Sequence, residues 1–155
     1  MRDQDVNCMF PIERLAELYS DVVIGGVAQT HYGMMGWVPD PRSTVRDTVP
    51  EIMGRAQAEG ADIILLTPGR PICHRSVGLI QNAIEERGIS TVSLTAHPHI
   101  TKIVGAPRAI YMRFPQGNQL GQASNSEQQR AILTTALESL RTMETPGAIL
   151  EYPDR

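Results

Sequence analysis

Cysteine is scarce in this chain: 155 residues hold two, Cys8 and Cys73. Two cannot build the disulfide framework of a small secreted domain, so the thiols are read as reduced and the location as cytoplasmic. Aromatic residues make up 5% and the net charge is −3. A nucleic-acid binder needs stacking rings or a basic face, so that class is not expected. Long apolar runs are absent, and no membrane span is expected. The polar, acidic start, 1–7, does not read as a signal peptide. A Gly-x-Ser-x-Gly elbow is missing, and Gly25-Gly26 opens no helix, which argues against a hydrolase elbow and a dinucleotide fingerprint.

What is present is the pattern of a globular chain, 41% hydrophobic and 20% charged. Its length suits one domain that buries roughly two-thirds of its unfolded surface. The spacing of apolar residues predicts helices over 11–19, 43–59, 71–87 and 126–143, and strands over 22–28, 61–67, 90–95 and 108–114. A loop with one or two helical turns covers 96–104, and 146–155 reads as a tail. Pro50 lies inside the second helical pattern and should kink it or stand in its first turn. Strands alternating with helices imply an α/β domain. We expect a Rossmann-like three-layer sandwich on a mostly parallel sheet of about four strands, with right-handed crossovers.

The stretch from Thr67 through Pro68-Gly69-Arg70-Pro71-Ile72 to Cys73-His74 organises this pattern. It reads as strand, tight turn, and helix start with Pro71 in the first turn. The unpaired N–H groups and dipole at a helix start favour an anion, so a thiolate at Cys73 would be stabilised there. Cys73 also shares a helix face with Val77, Ile80 and Ile84, which equally suits a small core residue.

In parallel sheets, ligands bind beyond the carboxyl ends of the strands. The expected rim carries Gln29, Thr30, His31 and Tyr32, then Thr67, Arg70, Cys73 and His74, then His97 and His99, then Arg113 and Gln116. All four histidines of the chain fall there. A polar catalytic cleft is one reading, with Cys73 as nucleophile, His74 or His31 as its base, and Arg70, Thr67, Tyr32, His97 and Arg113 binding substrate. A zinc site from His97, His99, His31 and Cys73 is a second, although no tight ligand spacing marks it and no cofactor is required. Histidines on polar loops with no joint role are the third. The glycine-rich loop His31-Tyr32-Gly33-Met34-Met35-Gly36-Trp37 could line a ligand site or pack on a neighbouring surface.

Three segments resemble the selenoprotein B family: Asp62 to Ile80, the Gly88-Ile89-Ser90-Thr91-Val92 that follows, and Pro107 to Pro115. Phe10 to Leu15 and His31 to Gly36 resemble short relatives of the same family. It comprises the substrate-reducing subunits of glycine, sarcosine and betaine reductases and the related D-proline reductase subunit. The resemblance implies a redox motif in the turn: selenocysteine or cysteine, two residues, then cysteine. The second position matches Cys73, but the first falls on Arg70, so a two-thiol cycle within the motif cannot run. The family also has an additional strand–loop unit ahead of the stretch matched here.

The resulting expectation is a reductase-like enzyme or enzyme subunit acting on a small metabolite through a single cysteine, with Arg70 and Arg113 placed to hold a carboxylate. A non-redox lyase or transferase, or a non-catalytic accessory subunit, are the alternatives, because fold does not fix function. A homo-oligomer, or a partner subunit that completes the sheet, is expected.

Overall fold

The computed structural model describes residues 5–153. The first four residues of the polar start and the last two of the expected tail lie outside the described residues. Helix α1 covers Ile12–Ser20. A second helical path begins with α2, Pro41–Ser43, passes through a π-helical turn at Thr44–Thr48, and continues as α3, Val49–Ala58. Pro50 explains the π turn. It lacks the N–H that an α-helical bond would use, and Val49 N–H instead reaches back five residues to Thr44 O. The remaining elements are β1 (Ile63–Leu66), α4 (Pro71–Glu85), β2 (Ser90–Thr95), α5 (Pro98–Val104), β3 (Arg108–Tyr111), α6 (Ser126–Thr142) and β4 (Ala148–Glu151).

The four strands are all parallel, in the order β1-β2-β3-β4. The fold is α/β, with helices on both faces. Leu65, Val92, Leu94 and Ile110 face α1 and α6, where Leu18, Ile132, Leu133 and Ala136 complete one core. Ile64 and Leu66 face α3 and α4, packing with Val49, Met53, Ile80 and Ile84 in a second. Burying each such aliphatic side chain contributes roughly 1.5–3 kcal/mol.

Two expectations about the sheet are corrected. Residues 22–28 form no strand. Val22 and Val23 donate to Tyr19 O and Leu18 O, closing the end of α1, and Val22 adopts a φ of 58° with its side chain 87% exposed. The fourth strand lies instead in the expected tail, where 148–151 pairs with β3. The crossovers also differ from expectation. The strand order never reverses, yet α6 packs on the face opposite α4. The β3–α6–β4 connection therefore has the opposite hand to β1–α4–β2, against the usual preference.

A half-buried ion pair orients α4 toward the rim. At the amino ends of β2 and β3, Arg108 Nη1 donates to Glu85 Oε1 (2.7 Å) and Thr91 O (2.9 Å), while Thr91 N and Oγ1 both donate to Glu85 Oε1. Glu85 is the last residue of α4. Fixing that end at the amino edge of the sheet points the helix start, with Cys73, at the carboxyl edge.

Candidate active site

The turn from β1 into α4 forms as the sequence predicts. Arg70 is extended (φ −139°, ψ 165°) and precedes Pro71 at the first helical position, where a missing N–H costs nothing. Arg70 O accepts from Cys73 N–H at 2.9 Å. Thr67 is half-buried, while the Arg70 side chain is exposed. On the floor of the turn, Met9 packs against Gly69: a Cβ added there would lie 2.6 Å from Met9 Cε.

His74 is the most buried group of the site, 2% exposed. Its Nε2 accepts Ala96 N–H at 3.1 Å, which places the ring proton on Nδ1, 2.8 Å from Arg70 O. Burial, reinforced by His97 and His99 nearby and only partly offset by the Arg70 carbonyl, pushes its pKa down. His74 is therefore a neutral ring with both nitrogens committed to backbone, tying the β1–α4 turn to the loop after β2. It stands edge-on to His97 (centroids 4.9 Å), which stands edge-on to His99 (5.9 Å). His97 stands at the N-cap position of α5 without a side-chain cap bond, and Gln116 Nε2 lies 3.2 Å from its Nε2. The predicted rim histidines 74, 97 and 99 thus meet in one row.

His31 stands apart from that row. It packs edge-on against Phe10 at 5.3 Å, in an exposed loop beside the exposed Tyr32. Among the described residues no three His, Cys, Asp or Glu side chains converge to hold a metal ion. The geometry therefore does not assemble the zinc alternative of His97, His99, His31 and Cys73. Arg113 is ion-paired with Glu151, a partner that the reading of 146–155 as a tail left out.

Cys73 is half-buried and free of any disulfide. Its neighbour is Gly36: a Cβ there would collide with Cys73 Sγ and lie 3.3 Å from its Cβ. One turn further along α4, Ser76 Oγ donates to Gly36 O at 2.7 Å. Sequence reasoning noted the glycines of this loop without pairing Gly36 to the cysteine, since a contact across 37 residues leaves no local signal. The second thiol, Cys8, is 5% exposed, with Sγ 3.9 Å from Gln129 Nε2, and desolvation together with the Asp5 charge pushes its pKa up.

Over 151 residues, 97% of this chain, the sequence is 38% identical to D-proline reductase subunit gamma of Acetoanaerobium sticklandii. The chain is similar to this reductase subunit along nearly its whole length. It spans 62% of that relative's length. No family model matches the chain, and no solved structure matches it. Among the described residues, no helix is long and apolar enough to cross a membrane.

Proposed function

We propose that the chain is a subunit of a thiol-dependent reductase that acts on a small amino-acid-like metabolite at the rim around Cys73. The observation that carries this reading is the 38% identity to a D-proline reductase subunit over nearly the whole chain, together with a cysteine in the first turn of a helix at the sheet's carboxyl edge. Reduction of a substrate bond takes two electrons and two protons. Two thiols supply them and leave as one disulfide. Cys73 supplies one thiol. Cys8 is buried against Gln129, so the second thiol comes from another molecule, a protein or small dithiol. Arg70, exposed at the mouth of the turn, receives the substrate carboxylate, and His74 acts as a positioning residue that holds the turn.

Arg70 at the family's first redox position favours a second reading, an accessory subunit that binds the metabolite while another chain reduces it. Association suits both readings. The strand order leaves β1 at an edge with Ile63 42% exposed, and a second copy or a partner subunit would cover it. The test follows oxidation of a dithiol by the purified chain with D-proline and related amino acids. Substrate-dependent oxidation supports the enzyme. Saturable binding of the amino acid without oxidation supports the accessory subunit, and neither signal refutes both.

A further inference from the structure

The sulfur of Cys73 is covered by a backbone segment tied to the rest of the protein at few points, one of them the edge-on packing of His31 on Phe10. Residues 31–38 carry the exposed side chains of Met35 (78%) and Trp37 (61%). Among the described residues, their one hydrogen bond to the body of the protein is Ser76 Oγ to Gly36 O. The two ends are held more firmly. Glu59 accepts from Gln29 N (2.7 Å), Thr30 N (3.1 Å) and the Thr30 hydroxyl. At the far end, Asp40 caps α2 by accepting from Arg42 N at 3.0 Å. Between these anchors Gly36 rests on the sulfur, and only a residue without a side chain fits there.

We infer that residues 31–38 are a lid over Cys73, seated by Gly36 and latched by the Ser76 hydroxyl. Lifting it exposes the thiol while both anchors stay in place, and closing it shields the thiol from oxidants and bulk solvent. This rests on the reading of Cys73 as the working thiol.

The full chain is treated with iodoacetamide under native conditions, and each cysteine is followed by peptide mass spectrometry. Cys8, sealed in the core, reports global unfolding within the same sample. Ser76→Ala removes the latch and should raise the Cys73 alkylation rate about two- to tenfold, as expected for one lost hydrogen bond, with the Cys8 rate unchanged. Gly36→Ala, which unseats the lid, should raise it as well. If Gly36→Ala fails to fold, Ser76→Ala alone decides. Equal Cys73 rates in wild type and Ser76→Ala overturn the lid, and so does a Cys73 rate that rises only in step with Cys8. The measurement reads alkylation and not turnover, so the lid and the reductase reading fail separately.

Discussion

His74 Nε2 accepts the N–H of Ala96 across the gap between the two loops that follow β1 and β2. That single ring joins the first turn of α4, which bears Cys73, to the segment after β2 that leads into His97 and His99 at the start of α5. Removing it leaves the Arg70 carbonyl and the Ala96 N–H without their ring partner. His74→Ala should therefore cost about 2–4 kcal/mol, from an unpaired buried donor and a cavity together. His74→Gln, which can restore one bond, should cost less. Urea unfolding midpoints check both values.

The same ring gives stability a pH dependence of defined sign. Burial lowers the folded pKa of His74 below its ordinary value of 6.5, so the unfolded chain binds the proton more readily. The contribution is fully present above pH 6.5 and declines as pH falls through 6.5 toward the lowered folded value. Thermal melts from pH 8 to 5 should show a drop in wild type that is smaller in His74→Gln. Parallel curves would remove His74 as the source.

Asp5 acts lower on the pH scale. Burial alone would raise its carboxyl, but hydrogen bonds from Gln129, Ser124 N and Asn7 outweigh it and hold the pKa at about 2, against 3.8 unperturbed. Its contribution is present above pH 3.8 and lost as pH falls through about 2. Discounted for solvent screening it amounts to about 1 kcal/mol. Asp5→Asn should show a smaller loss of stability between pH 4 and pH 2 than wild type, read by chemical unfolding at each pH.

Arg70 and Arg113 should behave differently. Arg113 is already paired with Glu151, while the Arg70 side chain makes no ion pair among the described residues. Arg70→Lys keeps the charge but loses the planar fork. It should weaken amino-acid binding measured by calorimetry and leave stability within about 0.5 kcal/mol, as for an exposed substitution. Unchanged affinity would make Arg70 a solvated turn residue.

The open β1 edge leads to a prediction about assembly. Light scattering at micromolar concentration should give a mass above that of one chain, or a second protein should co-purify. A monomer that stays monomeric at all concentrations, with no companion chain, contradicts this.

Much of the fold was legible because its signals are local. The apolar run before Thr67, Pro71 at the first helical position and the helical face of Val77, Ile80 and Ile84 locate β1 and α4 without long-range information. The strand 90–95 is read to its ends, since Gly88 and the run of β-branched residues bound it. The misreading of 22–28 has a physical cause: Val22 and Val23 favour strands, but their N–H groups close α1 and the fourth place in the sheet is taken by 148–151. That last strand is four residues long and gains its stability from pairing with β3, which composition does not show. At the site, the rim position of Cys73, His74 and His97 followed from topology. The Gly36–Cys73 contact, the double engagement of His74 and the Arg113–Glu151 pair depend on tertiary placement and carry no spacing signal.

The most direct measurement compares Cys73→Ser with Cys8→Ser in substrate-dependent oxidation of a dithiol. The account predicts that Cys73→Ser falls to the background rate, while Cys8→Ser, altered only in a buried thiol against Gln129, keeps wild-type turnover. Wild-type turnover in a folded Cys73→Ser protein would contradict it.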